Sequence, residues 1–203
     1  MFYKLTRFIF KIFFGILFRP KIIGIENIPA EGGFILSANH VSNWDPPFLG
    51  TFAGREVCFM AKEELFKNPI FGAAIRNLHA FPVKRDSADK NAIKNAIKVL
   101  KGGECLGIFP EGTRSKTGKL GKAESGVSLI AAMTKAPIIP AAIINTEKIF
   151  SAEIKFPRLV LVIGKPMNFG GTSKDKDEMA NFAQNIMAEI ANLKTVGENS
   201  LTK

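Results

Sequence analysis

Two stretches of the chain combine residue types and spacings that suit proton transfer and anion binding. In Asn39-His40-Val41-Ser42-Asn43-Trp44-Asp45-Pro46-Pro47 a histidine stands five residues before an aspartate, where an apolar run gives way to a helix start. In a regular helix that spacing points the two side chains apart. Asp45 followed by Pro46 and Pro47 instead reads as an N-cap with proline at N1, so His40 and Asp45 share a turn that folds one onto the other. A histidine so placed can serve as a general base near neutral pH, and a carboxylate on its second nitrogen fixes the tautomer. The second stretch, Phe109-Pro110-Glu111-Gly112-Thr113-Arg114-Ser115, sets a carboxylate, a glycine, a hydroxyl, an arginine and a serine in immediate succession. Arg114 offers a planar fork suited to phosphate oxygens, Gly112 lets the backbone approach a ligand closely, and Thr113 or Ser115 adds donors. Taken alone, a solvated turn with a surface arginine explains this heptapeptide equally well.

The elements that must position these residues follow from hydrophobic periodicity. Residues 34–38 (FILSA) read as a short buried strand ending at the Asn39-His40 turn, with a helix over about 46–53. A second strand is expected over 57–61, a helical stretch broken at Asn68-Pro69 over 63–77, and a third strand over 79–83 that ends in Lys84-Arg85. Asp86 or Ser87 is expected to cap an amphipathic helix carrying Ile93, Ala96, Ile97 and Leu100 on one face, closed by Gly102-Gly103. Strands over 105–109, 138–144 and 159–163 alternate with helices over about 125–135 and 174–193. Alternating strands and helices, with several continuous Val/Ile/Leu/Phe strands, predict an α/β fold: one domain around a mostly parallel central sheet covered by helices. Ligands in such sheets collect at the carboxyl ends of the strands. That rule brings His40, Arg85 and the Glu111 loop to one edge.

With 203 residues and no internal repeat, the chain suits a single core with an added segment. A formal net charge of +10 and a pI near 9.7 favour an anionic partner: nucleic acid, a membrane surface or a phosphorylated small molecule. The lysines are spread among helices with no basic run interleaved with stacking aromatics, which argues against nucleic acid. Cys58 and Cys105 lie in apolar runs without CxxC spacing and read as buried thiols in a reducing compartment, with no zinc site. His79 falls in an apolar run and reads as a core or edge residue rather than a second base, while Asn39 and Trp44 read as residues that shape the His40 turn.

The segment 1–20 stands apart in composition. Residues 2–18 (FYKLTRFIFKIFFGILF) place Lys4, Arg7 and Lys11 on one helical stripe of an otherwise aromatic and aliphatic surface. Such a helix is roughly 26 Å long, short of a hydrocarbon core of roughly 30 Å. Its three cations oppose insertion by roughly 8–10 kcal/mol, against roughly 4–7 returned by the apolar residues. The expectation is an amphipathic membrane-interface helix with its aromatics down and its cations at anionic headgroups. A core-packed helix is the competing reading, since phenylalanine stripes at helical spacing commonly face a protein core.

These blocks together resemble a family. NHVSNWD matches the NHx4D motif of the glycerolipid acyltransferases at His40 and Asp45, and FPEGTRS (109–115) is similar to their third motif. Phe81-Pro82-Val83-Lys84-Arg85 looks like the second motif, whose arginine contacts phosphate, and Pro137-Ile138-Ile139-Pro140 looks like the apolar fourth. The blocks stand in family order over roughly residues 21–170, so the chain resembles the bacterial 1-acylglycerol-3-phosphate acyltransferases, with 21–203 as the acyltransferase domain. One departure is Glu124 in Gly121-Lys122-Ala123-Glu124-Ser125-Gly126, where relatives often carry a more basic approach, leaving Lys122 as the remaining ligand cation.

The resemblance implies direct transfer of an acyl group from a thioester to the sn-2 hydroxyl of lysophosphatidate, giving phosphatidate for phospholipid synthesis. His40 is the implied base and Asp45 its orienter. Arg85, Arg114 and Lys122 are the implied phosphate ligands, Gly112 and Thr113 orient the acceptor, and Glu111 orients either the arginine or the acceptor glycerol. It implies no cofactor and no metal, only acyl-CoA or acyl-carrier protein as co-substrate, and work at the cytoplasmic face of the cell membrane against anionic lipids. Glycerol 3-phosphate or another lysophospholipid as acceptor, and a non-catalytic basic protein that binds anionic lipid, are the alternatives.

Overall fold

The apolar runs become the strands of one seven-stranded sheet: β1 (Lys21–Ile23), β2 (Phe34–Ala38), β3 (Val57–Lys62), β4 (Phe81–Val83), β5 (Cys105–Ile108), β6 (Ile138–Ile144) and β7 (Val160–Ile163), in the order β1-β7-β6-β2-β5-β3-β4. The computed structural model describes every residue except 85–88, 116, 153 and 203. β2 lies at the centre, parallel to β5 on one side and to β6 on the other, with Leu36 opposite both Gly107 and Ile139. The sheet is parallel except between β6 and β7, which run antiparallel. Strands buried on both faces demand covering helices, and residues alternating along β2 divide between two layers. Phe34, Leu36 and Ala38 pack with α1 (Phe2–Phe18) and α2 (Asp45–Phe52). Ile35 packs toward α4 (Lys90–Lys101), α5 (Gly126–Thr134) and α6 (Lys176–Asn199), with Leu100, Ile130 and Ile186. The remaining helix, α3, spans Pro69–Asn77.

The central α/β architecture is the one expected from periodicity, and several details differ for physical reasons. β1 is three residues long, too short to carry a hydrophobic period, and it is held as an edge strand by pairing with β7. His79 lies outside β4. It follows α3 with a φ of 62°, a left-handed conformation that ends the helix and cannot continue a strand. There its ring stacks on Tyr3 and its Nδ1 stands 3.6 Å from Glu56 Oε2. The cap of α4 is Asp89, which accepts from the N–H groups of Asn91 and Ala92. Asp86 and Ser87, the expected caps, lie outside the described residues.

α1 is packed against the domain along one side and exposed along the other. Tyr3, Phe14 and Phe18 are buried, with Phe14 in edge contact with Phe48 and Phe13 stacked on Trp44. The Tyr3 hydroxyl accepts from Val57 N–H at 2.9 Å, and burial pushes its pKa up to about 12. Fully burying each large aromatic side chain contributes about 1.5–3 kcal/mol, enough to fasten the helix to the domain. Phe2, Leu5, Phe8, Ile9, Ile12 and Ile16 line the opposite, exposed side. The expected stripe of three free cations is broken: Arg7 Nε donates to Thr51 O at 3.0 Å, tying α1 to α2, and leaves Lys4 and Lys11 exposed. No described helix is long and apolar enough to cross a membrane.

Candidate active site

Because β2, β5 and β6 are mutually parallel, the residues that follow them meet at one edge of the sheet. β2 delivers Asn39 and His40, β5 delivers Phe109 to Ser115, and β6 delivers Asn145 and Thr146. His40 Nδ1 lies 2.8 Å from Asp45 Oδ2. His40 is only 8% exposed, and Asp45 has no solvent exposure. A carboxylate on Nδ1 selects the tautomer with the proton there and leaves Nε2 as the proton acceptor.

The expectation that Asp45 caps α2 is corrected. Trp44 occupies the N-cap position and makes no side-chain bond, while prolines fill the first turn. Prolines have no N–H, so the helix start has fewer donors to satisfy and the Asp45 carboxylate is released for other partners. It turns back on its own loop: Oδ2 also accepts from the N–H groups of Val41 and Ser42, each at 2.7 Å. Thr146 donates its hydroxyl to Oδ1. The carboxylate therefore orients the imidazole and its own loop instead of capping α2.

Asn39 fixes the turn from its other end. Its side chain donates to Ile143 O at 2.9 Å and accepts from Ile143 N–H at 2.7 Å, so the residue before His40 is clamped to β6. The imidazole lies flat against Phe109, with ring centroids 4.1 Å apart and planes at 17°. Phe109 is backed in turn by Phe59. That stack needs Gly107, because a Cβ there would come within 2.5 Å of the Phe59 ring.

Glu111 joins two loops. One oxygen accepts from His40 N–H at 3.1 Å and the other from Gly121 N–H at 2.8 Å, while Ser115 N–H donates to His40 O at 2.8 Å. The carboxylate therefore holds the segment carrying Arg114 against the backbone of His40. Gly112 makes the turn possible at a φ of 67°, with its N–H donating to Phe109 O. The Ser115 hydroxyl is spent within its own loop on Lys119 O at 2.7 Å, and Lys194 of α6 donates to Gly118 O at 3.1 Å.

Thr113, Arg114 and Lys122 are exposed and have no hydrogen-bond or ion-pair partner among the described residues. Arg114 is thus one residue from a direct backbone contact with His40, its guanidinium open to an anion. Arg85 lies outside the described residues. The two cysteines offer no nucleophile: burial, reinforced by Glu104, pushes the Cys58 thiol up to about 12, and burial raises that of Cys105 as well. Among the described residues no three of His, Cys, Asp and Glu group as a metal site would require.

The Thr146 bond to Asp45 and the stack of Phe109 on His40 carry no signal in the local sequence. Thr146 lies 101 residues from Asp45, and one threonine after a buried strand gives no signal of that contact.

Comparison with known proteins places the chain in a family. The Acyltransferase family profile matches residues 19–144. The 1-acyl-sn-glycerol-3-phosphate acyltransferase of Bacillus subtilis is 36% identical over 171 residues, covering 82% of each chain. The protein of the same name from Streptococcus pneumoniae is 35% identical over 173 residues, which is 83% of this chain and 63% of that one. The crystal structure of the 1-acyl-sn-glycerophosphate acyltransferase PlsC from Thermotoga maritima superposes with a TM-score of 0.77 at 30% identity, over 95% of this chain and 79% of that one. A match over most of the chain in both sequence and structure shows that this chain belongs to the Acyltransferase family.

Proposed function

We propose that the chain is a 1-acylglycerol-3-phosphate O-acyltransferase, moving a fatty acyl group from a thioester to the sn-2 hydroxyl of lysophosphatidate. One observation carries the reading: His40 Nδ1 sits 2.8 Å from a fully buried Asp45 carboxylate, at the sheet edge where the Arg114 loop is held. His40 Nε2 takes the proton of the acceptor hydroxyl as its oxygen attacks the thioester carbonyl. Asp45 holds the imidazolium that forms. Collapse of the tetrahedral intermediate expels the thiolate, which recovers the proton from His40. No acyl-enzyme is required, because the acceptor oxygen itself is the activated nucleophile. Arg114, with Arg85 and Lys122, holds the acceptor phosphate, and each charge-assisted bond contributes about 1.5–3 kcal/mol. Glu111 acts on the loops rather than on the arginine: it sets the Arg114 segment against His40. Acyl-CoA or acyl-carrier protein supplies the acyl group.

The enzyme works on a membrane surface, with the exposed side of α1 seated among lipids and Lys4 and Lys11 near anionic headgroups at the cytoplasmic face. The support is the outward row of Phe2, Leu5, Phe8, Ile9, Ile12 and Ile16 on a helix whose other side is already packed. Because α1 carries core residues, the test of this role is a triple change on its exposed side, Phe8→Ser with Ile12→Ser and Ile16→Ser. It is expected to keep the folded spectrum and lose flotation with anionic vesicles; unchanged flotation would put the anchor elsewhere.

The test of the activity is turnover by purified protein with both thioester donors and a panel of acceptors. Lysophosphatidate is expected to be acylated in preference to glycerol 3-phosphate and lysophosphatidylcholine. Turnover of another acceptor with none of lysophosphatidate would replace the assignment.

A further inference from the structure

We infer that Thr146 is a positioning residue for the His40–Asp45 pair, its hydroxyl bracing the carboxylate at the angle at which it meets the imidazole; the inference rests on the acyl-transfer reading of that pair. The two carboxylate oxygens of Asp45 are used differently. Oδ2 takes three donors, His40 Nδ1 and the N–H groups of Val41 and Ser42, whereas Oδ1 has the Thr146 hydroxyl as its partner among the described residues. Rotation about the Cβ–Cγ bond moves both oxygens together, so the Thr146 bond to Oδ1 braces from the far side the same torsion that the three donors hold at Oδ2. Both Asp45 and Thr146 are shielded from solvent, so no bulk water replaces a missing donor.

Thr146 is itself held by the fold. It opens the short turn Thr146–Lys148 directly after β6, where Asn145 adopts a φ of 70° and donates its side chain to Arg158 O at 2.9 Å. Three residues earlier, Ile143 makes both hydrogen bonds to Asn39. The end of β6 therefore grips the catalytic turn twice, on the residue before His40 and on the carboxylate that orients it. Packing alone would be served by valine, which has nearly the shape of threonine. The hydroxyl distinguishes them, and its proton is given to Asp45.

Three measurements on Thr146→Val and Thr146→Ser test the role: kcat, KM for lysophosphatidate, and the proton resonance of His40 Nδ1–H. In metal sites, the group that orients an imidazole from behind is worth about 10–100-fold, and a loss of kcat in that range is expected for Thr146→Val with KM for the acceptor unchanged. The Nδ1–H resonance is expected to move or broaden, and Thr146→Ser to restore both kcat and resonance. A folded Thr146→Val protein with parental kcat would overturn the inference. So would a loss that Thr146→Ser leaves unrestored, which would make the role one of packing. If valine prevents folding, Thr146→Ala is judged by the same outcomes. An inactive parent would remove the acyl-transfer reading, whereas the resonance would still report whether Thr146 orients the pair.

Discussion

The two sides of the candidate site are built in opposite ways. On the carboxylate side the orienting groups are held: Asp45 takes four donors, Asn39 is bonded twice to β6, and Glu111 spans two loops. On the cation side Arg114 and Lys122 extend into solvent without partners among the described residues. The first arrangement holds the His40 imidazole at a fixed angle, which in the proposed reaction leaves little reorganisation for the proton transfer itself. The second leaves charge for a ligand to neutralise. The base side should therefore govern the chemical step and the cation side the acceptor's affinity.

Substitutions divide along that line. The largest effect short of removing the base is expected for Asp45→Asn, which keeps the shape and favours the wrong tautomer: a fall in kcat of about 10³- to 10⁴-fold with KM for the acceptor held. A comparable rise in KM instead would break the division between the two sides. Arg114→Ala comes next. Loss of one charge-assisted phosphate contact of about 1.5–3 kcal/mol corresponds to a rise of about 10- to 150-fold in acceptor KM, read from steady-state kinetics with kcat near parental. Lys122→Ala should follow the same pattern more weakly, because an ammonium is a single point charge and Arg114 is still present. A kcat defect in either cation variant would mean that the cations act in the transition state. Smallest is the response to thiol alkylation. With Cys58 pushed up to about 12 by burial and Cys105 raised likewise, native protein treated with iodoacetamide at neutral pH is expected to keep its activity. Inactivation would point to an acyl-enzyme and remove the direct transfer.

The base side was also the more legible in sequence, since its main contact is local. His40 and Asp45 stand five residues apart, and two prolines announce the turn that joins them. The continuous apolar strands and the carboxyl-edge rule then brought the Phe109–Ser115 loop beside them. What stayed hidden depends on long-range pairing. The Thr146 bond crosses 101 residues, and Arg7 finds Thr51 O only after α1 and α2 pack. The cap of α4 shifted from 86–87 to Asp89 because several polar residues in succession each satisfy the local preference. The first helix carried two apolar faces, and composition alone does not divide them between core and surface.

The division of labour is tested most directly on His40→Ala, by measuring both turnover and the binding of lysophosphatidate micelles. The account predicts a loss of several orders of magnitude in turnover with the acceptor bound as tightly as by the parent, since the Arg114 side is untouched. Parental turnover by His40→Ala would contradict the account outright.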